Sequence, residues 1–448
     1  MQVIHAATAL LPEGWRSDVR LTIERGSIQA IATGVPAQGG DERHAVLVPA
    51  MPNLHSHAFQ RAMAGLAETR GSGDDSFWSW RVLMYRFALS MTPDQVEAVA
   101  AQLYMEMLEA GFGRVGEFHY LHHDSDGGFY ANPAEMAERI AAASSETGIG
   151  LTLLPVFYAH SGFGGTEPSD GQRRFIHDPD AFARLMEACR GIVSRLPGGE
   201  LGIAPHSLRA VTQAELATIL PLAGNGPIHI HVAEQVKEVE DCLAHTGLRP
   251  VEWLLDHAPV DDRWCLIHAT QMAPGETQRM AATGAVAGLC PITEANLGDG
   301  IFNGAPYLAA GGRFGIGSDS NVLISVPQEL RQLEYSQRLS MKARNVMAEA
   351  GGSTGRMLFD GALAGGAAAL QASAGLAPGA SADLVSLDLA DAGYLKDDQI
   401  LDHWIFSTGI SVDCVWVSGV RQVEKGRHQR REAISQRFRK TMQELLSQ

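Results

Sequence analysis

Four apolar runs in this sequence, each rich in β-branched residues, end in side chains that can bind a metal ion. They end in His55-Ser56-His57, His231, His268 and Asp319. In an extended chain, residues two apart point to the same side, so His55 and His57 can reach one cation. Three imidazoles and a carboxylate that leave one position for water suit a catalytic Zn²⁺ or a similar first-row divalent ion. Such an ion lowers the pKa of bound water from about 15.7 towards 7 and so supports hydrolysis at neutral pH.

Two further residues near these ligands have different interpretations. Glu234 lies three residues after His231 and is placed to carry protons beside the metal without being needed as a ligand. His229 has the same strand parity as His231 but lies one layer deeper, where a hydrogen-bonded core histidine is the simpler interpretation. Asp319 has a structural alternative as the N-cap of the following helix. The glycines of 311–317 precede and enter a strand instead of opening a helix, which argues against a phosphate-binding loop.

These candidates need a scaffold that brings strand ends together. The predicted strands are Val46–Leu54, Arg114–Tyr120, Leu151–Tyr158, Leu201–His206, Ile228–Glu234, Cys265–Thr270, Ala285–Ile292 and Phe314–Asp319. The predicted helices between them include Thr92–Ala110, Pro133–Glu146, Asp178–Arg195 and Gln213–Leu222. Eight strands with mostly helical connections predict a (β/α)₈ TIM barrel, an α/β fold whose active sites form at the C-terminal strand ends. A doubly wound open sheet is the competing architecture.

The two ends of the chain have a different pattern of short alternating segments broken by Gly, Pro and polar turns. Such β-hairpin segments are Arg20–Glu24, Ser27–Ala32, Ala382–Asp388 and Cys414–Val420. We expect residues 1–49 and 376–448 to form a small composite β-domain beside a barrel of residues 50–375. We expect a surface helix over Arg431–Leu446. The stretch Gly361–Leu376 is rich in Ala and Gly, and we expect it to form a helix packed inside the protein and not a membrane span.

Charge and cysteine usage narrow the class of protein. Lys and Arg number 35 against 51 Asp and Glu, a net charge of −16, which repels nucleic-acid backbones and anionic lipid. The five cysteines are scattered and form no C-x-x-C pair, as expected of reduced thiols. No basic, apolar signal segment opens the chain. We therefore expect a cytoplasmic protein that binds neither nucleic acid nor membrane, and we expect a homodimer.

The set His55-Ser-His57, His231, His268 and Asp319 resembles the amidohydrolase superfamily of metal-dependent hydrolases, whose barrel carries a similar composite β-domain. His231-Val-Ala-Glu234 resembles its deaminase branch, and no lysine stands near the end of Leu201–His206 to bridge two metals. The resemblance implies one Zn²⁺ held by His55, His57, His231 and Asp319. It also implies that Asp319 accepts a proton from water, that His268 orients the resulting hydroxide, and that Glu234 protonates the substrate nitrogen.

Longer motifs are similar to those of the formimidoylglutamate deiminase family. They are Met51–Gly65, Asp75–Arg81, Glu117–Tyr120, Pro205–Arg209 and Thr293–Gly300. This resemblance implies conversion of N-formimino-L-glutamate and water to N-formyl-L-glutamate and ammonia in histidine breakdown. It also implies that this small dicarboxylate substrate is bound by Gln60, Arg81, Tyr120, His206 and Arg209. Arginine's planar fork matches a carboxylate, which makes the two arginines chemically sensible. The alternatives are a deaminase of another amidine, a guanidine or a nucleobase, and a metal-free binding protein that keeps the barrel.

Overall fold

The computed structural model describes residues 1–70 and 77–447. Its strands are β1 Gln2–Leu11, β2 Gly14–Glu24, β3 Ser27–Ala32, β4 Glu42–Pro49, β5 Met51–Ser56, β6 Phe112–His119, β7 Gly150–Phe157, β8 Glu200–Leu201, β9 Ala204–Pro205, β10 Ile228–Val232, β11 Trp264–His268, β12 Val286–Leu289, β13 Arg313–Ile316, β14 Leu384–Asp388, β15 Ser411–Val417, β16 Val420–Glu424 and β17 Arg427–His428.

The α-helices are α1 Phe77–Ser90, α2 Pro93–Glu109, α3 Glu135–Thr147, α4 Pro179–Val193, α5 Gln213–Ile219, α6 Val236–Thr246, α7 Pro250–His257, α8 Pro274–Thr283, α9 Pro291–Leu297, α10 Gly304–Ala309, α11 Val326–Met341, α12 Thr354–Leu370, α13 Asp398–Phe406 and α14 Arg431–Leu446. Short 3₁₀ segments cover Ala58–Met63, Asp170–Gln172 and Leu220–Ala223. None of the described helices has both the length and the apolar character that crossing a membrane requires.

Both ends of the chain contribute to one sheet. Its strand order is β17-β16-β15-β14-β4-β1-β2-β3, and β4 joins the two ends by pairing antiparallel with β14. Its buried face forms an apolar cluster that includes Ile4, Leu21, Leu47, Leu384 and Trp416. The expected meeting of the two termini in a β-structure is therefore present, and α14 has the bounds that the sequence predicted.

The central strands are parallel and lie in two sheets, β5-β6-β7-β8 with β9 beside β7, and β10-β11-β12-β13. Isolated bridges connect the ends of these sheets, Ser56 with Asp319 on one side and Ile203 with Ile228 on the other. The strand interiors are almost continuously buried, as expected for parallel strands covered by helices. Parallel order brings the carboxyl ends of β5, β10, β11 and β13 to one face.

Two predicted strands are each divided into two in the structure, while the other six differ from the observed strands only in their bounds. Val46–Leu54 is two strands, because β4 ends at Pro49 in the terminal sheet and β5 begins at Met51 in the parallel sheet. Both halves are buried and apolar, so the sequence gives no sign that the chain passes from one sheet to the other. Leu201–His206 is divided between β8 and β9, and between them a Cβ on Gly202 would lie 2.5 Å from the carbonyl oxygen of Pro227.

Local sequence signals explain where the helices begin. Thr92 accepts a hydrogen bond from the backbone N–H of Gln95 and forms a capping box at the start of α2. Asp178 caps α4 in the same position. Helix α12, the packed helix expected near residue 361, lies so close to β13 that a Cβ on Gly365 would be 1.8 Å from the carbonyl oxygen of Phe314. All five cysteines are free and buried.

Candidate metal centre and active site

The predicted ligands converge where the parallel strands end. The Nε2 atoms of His55 and His231 are 3.0 Å apart. Asp319 Oδ1 lies 3.2 Å from His55 Nε2 and 3.2 Å from His57 Nε2. His268 Nε2 lies 3.8 Å from Asp319 Oδ2, and the ligating atoms of His55, His231, His268 and Asp319 all lie within 4.8 Å of one another. The structure thus brings all five residues together, with His268 as near to the cluster as the predicted ligands.

The imidazole rings of His57 and His231 are oriented so that an unprotonated nitrogen of each faces the centre of this cluster. His57 Nδ1 lies 3.0 Å from the carbonyl oxygen of Phe118, and His231 Nδ1 lies 3.0 Å from that of His206. Since a carbonyl only accepts, each Nδ1 carries the hydrogen and each Nε2 is unprotonated in the neutral ring. Burial lowers the pKa of His55 to about 3 and that of His231 well below its usual range, so both rings are neutral.

Inward-facing nitrogen lone pairs beside the carboxylate of Asp319 repel one another unless a cation lies among them. The donor set of imidazole nitrogens and one carboxylate is the set that Zn²⁺ and related first-row ions prefer. Outer carbonyls that hold the Nδ1 hydrogens of metal-binding histidines are the usual support for such a site. The residues present therefore fit a divalent metal ion.

A buried polar network fixes the two chain segments that carry His57 and Asp319. Asn53 Nδ2 donates to Ser318 Oγ at 2.7 Å, and Asn53 Oδ1 accepts the backbone N–H of Ser318 at 3.1 Å. Ser318 Oγ donates to Asn321 Oδ1 at 2.6 Å, and Asn321 Nδ2 donates to the carbonyl of His57 at 3.0 Å. This network links the end of β5 to the loop after β13.

The backbone is strained at the same strand ends. His268 has φ 67°, Asp319 has φ 47° and Ala233 has φ 52°, all in the left-handed region that residues with a Cβ rarely adopt. Such strain persists only where surrounding contacts enforce it, and it is concentrated at functional sites. Asp319 is not a helix cap, because α11 begins after Ser325, whose side chain caps it. That structural alternative was wrong.

Glu234 and His268 lie beside the metal cluster. Glu234 Oε1 is 3.9 Å from His268 Nε2, and burial raises the pKa of Glu234. His268 Nδ1 is 3.3 Å from Glu294 Oε1. Burial opposes a charge on His268, but Glu234 and Glu294 outweigh it and raise its pKa to about 10. The Glu238 carboxylate accepts the backbone N–H groups of Ala233 and Glu234, both at 3.1 Å, and so holds the loop that carries Glu234.

A cavity opens directly onto this cluster, and the five predicted substrate residues line it together with His57, His231, Glu234, His268 and Asp319. Gln60 Nε2 donates to the Tyr120 hydroxyl at 2.9 Å, while the buried Gln60 Oε1 has no hydrogen-bond partner among the described residues. Arg81 Nη2 donates to the Tyr158 hydroxyl at 3.4 Å, and the Arg81 guanidinium lies 5.0 Å from the ring centroid of Tyr85.

Arg209 is the most unusual side chain of the cavity. It is only 9% exposed, and its buried Nε has no hydrogen-bond partner within residues 1–70 and 77–447. The guanidinium faces the cavity that also contains Glu234 and His231. Burial opposes the charge on Arg209, but Glu238 and Glu234 outweigh it and raise its pKa, so the side chain stays a cation. A buried guanidinium that lacks a hydrogen-bond acceptor is suited to an anionic ligand.

Sequence analysis missed several residues of this cavity. Trp80, Met84, Tyr85, Tyr158, Phe175 and Leu297 complete its lining. Trp80 and Leu297 lie in the motifs 75–81 and 293–300, and Tyr158 ends a predicted strand. Met84, Tyr85 and Phe175 carried no such signal. Residues 75–76 of the Asp75–Arg81 motif lie outside the described residues, as do the side chains of Phe77 and Trp78.

Three other sequence features now have structural explanations. His229 is a core residue whose Nε2 lies 2.7 Å from the carbonyl oxygen of Ala369, as expected. The Nε2 atoms of His122 and His123, two histidines of a His-rich loop, lie against the carbonyl oxygens of Val156 and Ile176, and neither residue lines the cavity. In the 311–317 stretch, a Cβ on Gly317 would lie 2.8 Å from the backbone of His55, so this glycine permits the close approach of two site-bearing segments.

Comparison with known proteins decides the family. Residues 46–421 match the profile described as "Amidohydrolase family", and residues 1–45 match "Formimidoylglutamate deiminase HutF, N-terminal domain". A curated formimidoylglutamate deiminase of Pseudomonas aeruginosa is 51% identical over 454 aligned positions that cover 100% of both chains. The chain belongs to the formimidoylglutamate deiminases of the amidohydrolase family. It is accordingly a hydrolase.

Two solved structures show the same fold. A crystal structure of an amidohydrolase from Brucella melitensis is 62% identical, covers 100% of both chains and superposes with a TM-score of 0.98. An adenosine deaminase from Xanthomonas campestris, crystallised with bound zinc, is 21% identical, covers 100% of this chain and 99% of its own, and has a TM-score of 0.82. At that identity the second likeness shows the fold alone. The fold is of TIM-barrel type with an additional domain.

Proposed function

We propose that this enzyme hydrolyses N-formimino-L-glutamate to N-formyl-L-glutamate and ammonia in histidine degradation, with one divalent ion, Zn²⁺, at its centre. The observation that carries the proposal is the unpaired, buried guanidinium of Arg209 in the cavity that opens onto the His/Asp cluster. The full-length relative named formimidoylglutamate deiminase supports the choice of substrate.

His55, His57, His231 and Asp319 would hold the ion, since their Nε2 and carboxylate atoms face one another without intervening donors. When bound, the ion supplies Lewis acidity that lowers the pKa of water to near neutrality. Asp319 also accepts a proton from the attacking water. The His268 Nε2–H, which lies between Glu234 and Asp319, donates a hydrogen bond that orients the water oxygen.

Glu234 carries the second proton. Its carboxyl group is buried, which raises its pKa and favours the protonated form. The water oxygen bonds to the formimino carbon while Glu234 protonates the imino nitrogen. The imino nitrogen becomes an amino group, and the proton that Asp319 took from water then passes to it. As the carbon–nitrogen bond to this group breaks, ionised Glu234 takes the hydroxyl proton, ammonia leaves and the former water oxygen becomes the formyl oxygen. Asp319 is again ionised and Glu234 again protonated. General acid catalysis of this kind contributes roughly 10²- to 10⁴-fold to rate.

The remaining cavity residues orient the dicarboxylate. Arg209 and Arg81 are the cations that recognise its carboxylates, and Gln60, Tyr120 and His206 surround the reacting end. The free Gln60 Oε1 is an acceptor for a substrate N–H group. A neutral planar nucleobase would leave Arg209 buried without a partner, which disfavours the nucleobase alternative.

The test is ammonia release by zinc-loaded enzyme from formiminoglutamate, with cytosine, guanine, adenosine and a simple guanidine in parallel. We expect turnover of formiminoglutamate alone, with N-formyl-L-glutamate as the product by mass spectrometry. Preferred turnover of a nucleobase or guanidine would contradict the proposed substrate.

We further propose that the parallel strands close into one (β/α)₈ barrel of residues 50–375, that residues 1–49 and 376–448 form the composite β-domain, and that the enzyme is a cytoplasmic homodimer. The bridges of Ser56 to Asp319, Ile203 to Ile228 and Ser207 to His231 support closure at both seams. Light scattering of the purified enzyme tests the dimer, since a monomer mass at micromolar concentration would contradict it.

A further inference from the structure

The hydroxyl group of Tyr158 lies in the cavity wall, on the residue that follows β7. The side chain is buried, and its ring centroid is 4.4 Å from that of His206. Both arginines proposed to bind substrate line the same cavity. The direction of the Tyr158 O–H bond therefore decides whether this group helps to recognise an anion.

Gln172 fixes that direction from outside the cavity. Its side-chain oxygen accepts the backbone N–H of Ser169 at 2.7 Å and the Ser169 hydroxyl at 2.9 Å. Because a backbone N–H only donates, the acceptor at this position must be the amide oxygen, and the amide nitrogen must face the other way. Gln172 Nε2 therefore donates to the Tyr158 hydroxyl, at 2.7 Å, and the side chain is fully buried.

A second donor reaches the same oxygen, since Arg81 Nη2 donates to it at 3.4 Å. With both acceptor positions of the phenol oxygen taken, the hydrogen of Tyr158 must point away from Gln172 and Arg81. No group of the described chain accepts it. The remaining direction for the hydrogen is the cavity.

We propose that Tyr158 is a substrate-binding residue that donates a hydrogen bond to a carboxylate of the substrate, and that Gln172 is the positioning residue that aims it. The inference rests on the proposed function, because the ligand is the dicarboxylate described above. Tyr158 complements the two arginines by adding a directional neutral donor, which distinguishes a carboxylate oxygen from other anions by geometry as well as by charge.

The direct test is Tyr158→Phe, which removes only the hydroxyl. Loss of a hydrogen bond to a charged acceptor predicts a rise in KM for formiminoglutamate of roughly 10- to 100-fold, with kcat within about twofold. N-propylformamidine, which keeps the reacting group and lacks both carboxylates, should be used equally by the variant and the wild type. Two mono-carboxylates, 4-formiminobutyrate and formiminoglycine, identify which carboxylate Tyr158 contacts.

Tyr307→Phe is the matched control, because its buried hydroxyl donates to the carbonyl of Ala285 at 3.0 Å outside the cavity. It should leave KM unchanged. Gln172→Met should raise KM in the wild-type background but have no further effect in the Tyr158→Phe background. An additive effect of the two substitutions would assign Gln172 to structure instead of to positioning.

An unchanged KM in Tyr158→Phe, with an active wild type, overturns this inference and leaves the proposed function intact. If the wild type does not use formiminoglutamate, the proposed function fails first. Calorimetric titration of N-formyl-L-glutamate then tests Tyr158 by itself: equal affinity of wild type and variant overturns the inference, and a loss of about tenfold or more supports it.

Discussion

Replacing Arg209 with methionine should stabilise the enzyme while damaging its use of a dicarboxylate. The guanidinium is 9% exposed, and its buried Nε has no hydrogen-bond partner in the described part of the chain. Burying an unsatisfied polar group costs about 1–3 kcal/mol, and more when the group is charged. Methionine is apolar, unbranched and two atoms shorter, so it removes this cost, and the ligand-free variant should gain at least about 1 kcal/mol in free energy of unfolding.

The same substitution removes the partner of a substrate carboxylate. Truncation of one member of a buried charge pair costs about 2–5 kcal/mol. At 1.4 kcal/mol for each factor of ten, that range predicts a fall in kcat/KM of roughly 30- to 4000-fold for formiminoglutamate. For N-propylformamidine, which has no carboxylate, the ratio of kcat/KM should change little.

Arg174→Met is the matched control, since Arg174 is also buried but fully satisfied. It donates to the carbonyls of His123, Ala88 and Met91 at 2.6–2.8 Å. Removing it leaves three buried carbonyls without donors and should destabilise the fold by at least about 3 kcal/mol. Chemical denaturation of both variants without ligand gives the comparison. The reasoning is refuted if Arg209→Met destabilises as Arg174→Met does, or if it leaves kcat/KM for formiminoglutamate unchanged.

Three further predictions follow from other parts of the structure. Glu234→Gln should retain bound metal by elemental analysis yet reduce kcat by roughly 10²- to 10⁴-fold, and near-normal turnover would remove Glu234 from the proton transfer. Gly365→Ala should prevent folding, because the new Cβ would lie 1.8 Å from the Phe314 carbonyl oxygen. The control is Gly191→Ala, since a Cβ on this helical glycine would have nothing within 4 Å. This control should raise the free energy of unfolding by up to about 1 kcal/mol, as measured by denaturant melts. Equal expression of soluble protein from the two glycine variants would contradict this packing. Burial lowers the pKa of His119 to about 3, whereas the unfolded chain has a value near 6.5. The neutral, buried His119 therefore contributes to the stability of the fold above pH 6.5, and this contribution is lost as the pH falls below 6.5. His119→Asn should therefore lose roughly 2 kcal/mol less stability than the wild type between pH 7.5 and pH 5, and identical pH profiles of unfolding would show that His119 does not titrate in this way.

Structural features are predicted best from the sequence where neighbouring residues determine them. The capping box of Thr92 and Gln95 fixes the start of α2 within four residues, and the structure has it there. The convergence of His231, His268 and Asp319 follows from a general property of parallel sheets, whose carboxyl ends share one face. The role of each of these residues in catalysis stays a prediction.

The features that sequence could not supply depend on distant contacts. The change of sheet at Ala50 is invisible because the residues on both sides are equally apolar. The orientation of Tyr158 depends on Gln172, a residue of another loop, and on the backbone of Ser169. The lack of a hydrogen-bond partner for Arg209 Nε is a property of the whole cavity, and the residues next to Arg209 in the sequence give no sign of it.

The sequence placed His268 among the cluster residues, but its distances to the other members are known only from the structure. Its Nε2 lies 3.8 Å from Asp319 and 3.9 Å from Glu234, close to both the metal set and the proposed proton donor. Spacing along the chain cannot separate a ligand from a residue that contacts the water.

Zinc titration of metal-depleted enzyme, followed by the rate of ammonia release from formiminoglutamate, tests the central claim most directly. The account predicts no turnover without metal and a linear rise to a plateau at one equivalent of zinc per chain. Turnover that survives complete metal removal, or a plateau at two equivalents, would contradict a single-ion deiminase at this cluster.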